Sequence, residues 1–388
     1  MRSITVVGAS LAGLSAARAL REQSFDGRIV LVGAEQHRPY DRPPLSKEFL
    51  AGTMSADDLD LATPDDDALG FDWRLGRRAV ALEPSGAAVV LDTGERIVSD
   101  GVVIATGAVA RTLPGPRVHT LRTLDDAIAL RAELTPGARL VLVGAGFIGA
   151  EIASTAASLG VEVTLVEALP TPLAGPLGVE MGRVCATLHG EHGVRLIVGV
   201  GVDAVLGDRR VRLTDGRELA ADVVVAGIGA VPAVDWLADS GLRLDNGVLT
   251  DADCATNLPG VVAVGDCAHS YRPHLAGIHR FEHWTNALQQ PAIAAATLLG
   301  RSYQPPASHT VPYFWSDQYG LKLQFAGHRR DGDQVEVVER DTDSRSFLAV
   351  YRRDGRPVAV FAINRPRPFA RWRRELATHD VSYERCQS

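Results

Sequence analysis

Apolar positions along this chain fall into two patterns. Short runs, unbroken but for Thr5 and Thr164, occur at Ile4–Val7, Ile29–Val32, Val102–Ala105, Leu140–Val143, Val163–Val166, Val223–Ala226 and Val261–Val264. They are rich in β-branched residues and too short for helices, so they predict parallel strands buried on both faces. Residues 71–100 instead alternate, with turn signals at Pro84-Ser85-Gly86 and Asp92-Thr93-Gly94, and predict a small β-meander. Leu321–Gly327, Gln334–Val338, Phe347–Tyr351 and Val358–Ile363 predict antiparallel strands, with a closing helix over Phe369–Leu376.

The first run feeds a glycine turn, Gly8-Ala9-Ser10-Leu11-Ala12-Gly13, and residues 14–20 continue with helical spacing. Such a strand–turn–helix brings backbone N–H groups to a pyrophosphate at the positive end of a helix. Gly8 makes the tight turn, and Ser10 stands where the usual pattern has its second glycine. The second strand runs towards Glu35, a carboxylate placed to accept from ribose hydroxyls. The unit then recurs. Arg139–Val143 leads into Gly144-Ala145-Gly146-Phe147-Ile148-Gly149, a full Gly-x-Gly-x-x-Gly, and Glu167 ends the next strand 23 residues after Gly144. No Arg or Lys follows Glu167 until Arg183, so a 2′-phosphate would go unpaired and NADH is expected over NADPH. Two such units predict two bound dinucleotides. Other strand ends offer small residues or an acid to a cofactor: Ala105-Thr106-Gly107, Ile228-Gly229 and Gly265-Asp266.

At 388 residues the chain is expected to form two or three domains, and its net charge of −7 argues against nucleic acid as a partner. Among 40 Lys+Arg only Lys47 and Lys322 are lysines, so Lys47, on the rigid Arg42-Pro43-Pro44-Leu45-Ser46-Lys47 segment, is a candidate for chemistry that arginine cannot supply. Ser46 is placed to cap the helix after it. Cys185, Cys254, Cys267 and Cys386 are scattered, without the spacing of a metal cage or a redox pair. The first nucleotide motif begins at residue 4, leaving no room for a signal peptide, and no apolar run is long enough to span a membrane. A cytoplasmic protein is expected.

Taken together, Arg42–Lys47, Ala105-Thr106-Gly107-Ala108, Gly144–Glu151, Gly265-Asp266, Glu282-His283-Trp284 and Tyr313-Phe314-Trp315-Ser316-Asp317-Gln318-Tyr319 resemble the bacterial ferredoxin reductases of the FAD-dependent pyridine-nucleotide oxidoreductase superfamily. The nearest group is the putidaredoxin and dioxygenase reductases, and the resemblance covers essentially the whole chain. It implies an α/β fold of two Rossmann-like, glutathione-reductase-like dinucleotide domains and a C-terminal α+β domain. The FAD domain would comprise residues 1–108 and 236–304, with an NADH domain at 109–235 nested inside it and a reductase domain at 305–388.

By the same resemblance, Gly8, Ser10, Leu11 and Ala12 hold the FAD pyrophosphate, Glu35 the ribose and Val80 the adenine side. Arg42, Lys47, Ala105, Thr106, Gly107, Arg122, Gly265, Asp266, Glu282, His283, Trp284 and Trp315 line the rest. Gly146, Ile148, Gly149, Glu151, Glu167, Ile228 and Gly229 fall to NADH. Lys47 and Glu151 are expected to pair beside the reacting ring, Glu151 also orienting the nicotinamide carboxamide. Relatives that reduce disulfides carry a Cys-x₄-Cys near residues 43–50, whereas no cysteine precedes Cys185 here. The resemblance therefore implies an outside acceptor: an acidic [2Fe–2S] ferredoxin serving a cytochrome P450 or Rieske oxygenase, steered by the arginine-rich tail. NADH oxidase, rubredoxin or quinone reductase, and an NADH-sensing flavoprotein like apoptosis-inducing factor are the alternatives.

Overall fold

A computed structural model describes residues 1–306, 311–341 and 345–385, with side chains up to residue 378. Cys386 lies outside the described residues.

Each of the short apolar runs becomes a buried parallel strand, six of them interior to their sheets and Val261–Ala263 at an edge. The first sheet is parallel throughout, in the order Val261–Ala263, Gly101–Ile104, Ser3–Val7, Arg28–Gly33, Asp72–Leu75. Ile4, Val6, Ile29, Leu31 and Val103 are all below 1% exposed, as burial on both faces requires. A strand from late in the chain thus pairs with one completed before residue 105, and the second nucleotide unit lies between them in sequence. That unit has its own parallel sheet, in the order Arg195–Val198, Glu162–Glu167, Arg139–Val143, Val223–Ala226, Val118–His119. The chain leaves and re-enters beside itself, where Ala108–Ala110 pairs antiparallel with Ala230–Pro232.

Residues 313–363 form an antiparallel five-stranded sheet, in the order Tyr313–Gln318, Leu321–Gly327, Arg356–Ile363, Ser346–Arg353, Gln334–Asp341. The closing helix Pro366–Arg385 packs Phe369 and Leu376 onto one face of it. The other face buries Leu323, Phe361 and Ile363 against Leu177, Met181 and Leu188 of the helix Ala174–Glu191.

Two expectations change, at Asp72–Leu75 and at Ser46. Asp72–Leu75 is the edge strand of the parallel sheet, and the meander is confined to Ala79–Leu82, Ala88–Leu91 and Arg96–Val98. The long helix Trp284–Leu298 has His283 as its extended N-cap residue. Tyr313–Gln318 is a strand, hidden in sequence by its run of aromatic residues. Ser46 caps nothing: it ends the 3₁₀ turn Pro43–Ser46, and the N-cap position of the helix Glu48–Ala51 is held by Lys47, whose side chain makes no capping bond. Leu45, Phe49 and Leu50 bury themselves with Leu140, Leu142 and Ile152, which fixes this segment against the second nucleotide unit.

Candidate active site

A cleft of about 770 Å³ opens along the first sheet's carboxyl ends and runs to the junction of all three sheets. Its depth starts at the first glycine turn. Gly8 has φ +116°, and a Cβ there would lie 2.1 Å from the Ala105 carbonyl oxygen; one on Gly13 would lie 1.8 Å from Gly8 O. Only glycine permits this approach of turn, helix and neighbouring strand. Ser10 is the N-cap residue of the helix Leu11–Glu22, and its side chain makes no capping bond. The first-turn N–H groups are thus left to an anion. Replacement of the usual glycine by Ser10 is accommodated by its extended backbone, φ −125°.

Further along, Glu35 accepts from the Tyr40 hydroxyl at 2.5 Å and from Arg42 Nη2 at 2.7 Å. Arg42 also donates to the Arg122 carbonyl, and Arg122 Nη2 donates to Asp266 Oδ2 at 2.7 Å. Four charged side chains, Glu35, Arg42, Arg122 and Asp266, from three distant segments therefore cross-brace one wall. The Trp284 indole N–H donates to Asp41 Oδ1 at 2.8 Å, and burial raises the Asp41 carboxyl above its ordinary range. The Trp284 and Trp315 rings meet edge-on, with centroids 5.8 Å apart. Burial pushes His283 down to about 4, so it is neutral at physiological pH.

At the junction, Lys47 Nζ donates to Glu151 Oε2 at 3.0 Å, with both side chains largely buried. Glu151 also accepts from Ser46 Oγ at 2.5 Å, Ser316 Oγ at 2.7 Å and the Asp317 N–H at 3.3 Å. Sequence reasoning missed Ser46, Ser316 and Asp317. The only signal was indirect, since an acid on an otherwise apolar helix face must find donors if it is buried.

The cleft brings together Gly8, Ser10, Leu11, Ala12, Glu35, Arg42, Ala105, Thr106, Gly107, Arg122, Ile148, Glu151, Asp266, Glu282, His283, Trp284 and Trp315 on its walls, with Lys47 behind Glu151. Val80 is not among its lining residues; its side chain is 45% exposed, and Arg77, Arg78 and Ala79 hold that end. Gly265 also lies behind the wall, its N–H donating to the Gln290 side-chain oxygen at 2.8 Å. Gly146, Gly149, Glu167, Ile228 and Gly229 lie outside the cleft, around the second glycine turn.

There the first turn's geometry repeats. A Cβ on Gly144 would lie 2.3 Å from Gly227 O and one on Gly149 2.1 Å from Gly144 O, whereas Gly146 faces open space. Glu167 accepts from the N–H groups of Ala145 and Leu169, each at 2.8 Å, so the acid is braced against its own turn.

These features fit FAD along the cleft: a backbone cradle that side chains would fill, free helix-terminal N–H groups for the pyrophosphate, and a braced carboxylate beyond them. The second turn offers NADH the same fittings.

Cys185, Cys254 and Cys267 are buried free thiols; burial pushes Cys185 and Cys254 up to about 12, so none is a poised nucleophile. Among the described residues, no helix is long and apolar enough to cross a membrane. Five of the tail's arginines are paired with acids: Arg329 with Asp331, Arg352 with Glu336, Arg353 with Asp333, Arg365 with Asp341 and Arg371 with Glu339. The expected steering face is thus weaker than a count of arginines implies.

Comparison with known proteins agrees with this geometry. The chlorobenzene dioxygenase ferredoxin reductase component of Cupriavidus sp. (strain PS12) is 40% identical over 377 residues, covering 95% of this chain and 90% of that protein. Rhodocoxin reductase of Rhodococcus erythropolis is 37% identical over 388 residues, covering 97% and 90%. The crystal structure of the covalent putidaredoxin reductase–putidaredoxin complex superposes with a TM-score of 0.90 at 33% identity, covering 97% of this chain and 93% of that one. Residues 313–385 match the reductase C-terminal family. With residues 2–291 matching throughout, this chain belongs to the pyridine nucleotide-disulphide oxidoreductase family.

Proposed function

We propose that this protein is an FAD-dependent ferredoxin reductase that takes electrons from NADH and delivers them singly to a [2Fe–2S] ferredoxin serving a Rieske oxygenase or a cytochrome P450. FAD and NAD(H) are its cofactors, and a ferredoxin is its partner. The observation that carries the reading is the junction itself. The segment 43–50 brings Lys47, not a cysteine pair, to Glu151, and the described thiols are buried. Electrons therefore have no dithiol exit and must pass to a separate carrier.

Bound FAD supplies the conversion between a two-electron donor and a one-electron acceptor. The chain's own residues then have three tasks. The two glycine turns hold two dinucleotides by their pyrophosphates. Lys47 places a buried positive charge where negative charge develops on reduction. Trp284, Trp315 and neutral His283 close the site from water on the side of the C-terminal sheet. The unpaired, buried thiols support a reducing, cytoplasmic setting.

The test is NADH-driven cytochrome c reduction by the purified flavoprotein, with and without a [2Fe–2S] ferredoxin. Strong stimulation by the ferredoxin is expected. Fast NADH consumption without stimulation would instead mark an oxidase, or a rubredoxin or quinone reductase. A long-lived charge-transfer complex with slow turnover would mark an NADH-sensing flavoprotein.

A further inference from the structure

The Glu151 carboxylate is fully subscribed. It has about four acceptor positions, and four donors fill them: Ser46 and Lys47 on Oε2, Ser316 and the Asp317 N–H on Oε1. If NADH places its carboxamide against Glu151, as the proposed function has it, the amide N–H must displace a donor.

Three of the four are poorly able to leave. Lys47 is a largely buried cation that would lose its counter-charge. Ser46 sits in a packed segment whose own carbonyl accepts from Thr155 Oγ1 at 2.8 Å. The Asp317 N–H belongs to a strand backbone paired with Lys322. Ser316 differs. Its hydroxyl can turn about one bond, and an alternative acceptor stands beside it. Ser316 and Gln318 alternate onto the same face of the strand, 0% and 1% exposed. Gln318 Nε2 donates to Ser316 Oγ at 3.0 Å, while Gln318 Oε1 is buried with no partner. Turning the Gln318 amide over would present that orphan oxygen to the Ser316 hydroxyl.

We propose that Ser316 is a positioning residue that guards Glu151, turning its hydroxyl to Gln318 when the nicotinamide carboxamide arrives. The serine keeps the buried carboxylate satisfied and aimed while the dinucleotide is away. Gln318 takes up the displaced hydroxyl, so neither a buried acid nor a buried hydroxyl is stranded in either state.

The test uses the FAD-loaded protein and equilibrium dissociation constants, read from the flavin absorbance as dinucleotide is added. The probes are NAD⁺ and 3-acetylpyridine adenine dinucleotide, which carries the same charges but has an acetyl group in place of the carboxamide and so lacks the amide N–H. Ser316→Ala removes the competitor and should tighten NAD⁺ by roughly 10–100-fold, the worth of one hydrogen bond to a charged group, while leaving the acetylpyridine compound unchanged. Gln318→Met removes the alternative acceptor and should weaken NAD⁺ several-fold, again selectively. Either variant alone decides the matter if the other fails to fold. Equal shifts for both dinucleotides, or no shift, would overturn the guard while leaving the reductase reading intact. Failure of the unaltered protein to bind NAD⁺ at all would overturn both.

Discussion

Lys47 and Glu151 stand 104 residues apart in sequence and 3.0 Å apart in space, and they join the first nucleotide unit to the second. The pair lies largely buried, so its charge is poorly screened by solvent. Lys47→Ala should slow reduction of the bound flavin by NADH by about 10²–10³-fold, the usual cost of losing a preorganised charge at a reacting centre. FAD content should be retained, because Lys47 is not among the residues that line the cleft. Stopped-flow absorbance at the flavin band measures this, and an unchanged rate would remove Lys47 from the reaction.

Much of the scaffold was legible because its signals are local. A β-branched run, a glycine turn and a terminal acid are each encoded within about ten to twenty-five residues, and both copies fold as their spacing indicates. What was illegible depends on partners far along the chain. Ser46 reads as a helix cap when only its neighbours are considered, yet its hydroxyl goes to Glu151, 105 residues away. The tail reads as a basic face, yet acids such as Asp333 and Glu336 return to pair with Arg353 and Arg352 across the same sheet. Asp72–Leu75 reads as meander because an edge strand alternates, whichever kind of sheet it borders.

Buried neutral histidines set a pH limit on stability. Burial pushes His189, His274, His283 and His328 down to about 4 in the folded protein, against 6.5 for an ordinary histidine. The unfolded chain therefore binds more protons between those values. Their contribution is fully present above about pH 6.5 and is lost as pH falls towards 4. His189 is 0% exposed, and its Nδ1 lies 2.7 Å from the Tyr319 hydroxyl, so its protonation alone should cost about 3 kcal/mol of stability as pH falls from 6.5 to 4. Calorimetric melting temperatures should be flat above pH 7 and fall steeply from pH 6.5 to 4.5. The fall should be shallower in His189→Gln, and a flat profile in the unaltered protein would contradict the burial argument.

Cofactor choice should follow Glu167. Its carboxylate is fixed by the N–H groups of Ala145 and Leu169 and so cannot swing away from a 2′-phosphate. NADH is expected to exceed NADPH in kcat/KM by about 10²-fold, since the phosphate meets a fixed like charge instead of a hydroxyl. Glu167→Gln should narrow that ratio chiefly by improving KM for NADPH. Steady-state rates with saturating ferredoxin provide the comparison, and comparable use of both cofactors by the unaltered enzyme would count against Glu167 as the discriminator.

Two of the three glycines of the second turn, Gly146 and Gly149, allow folding and binding to be separated. A methyl on Gly149 would sit 2.1 Å from Gly144 O, inside the protein's own backbone, so Gly149→Ala must push helix and strand apart. A methyl on Gly146 meets nothing within 4 Å, and its φ of −73° suits any residue. Gly146→Ala should therefore leave the melting temperature and FAD content unchanged, yet raise the dissociation constant for NAD⁺ by tenfold or more, about the loss expected when one or two phosphate contacts are held off. Gly149→Ala should lower the melting temperature as well as NAD⁺ affinity. Unaltered affinity in a stable Gly146→Ala protein would mean that the open space before this helix is not where the pyrophosphate sits, and the dinucleotide would then have to be sought elsewhere along the second sheet.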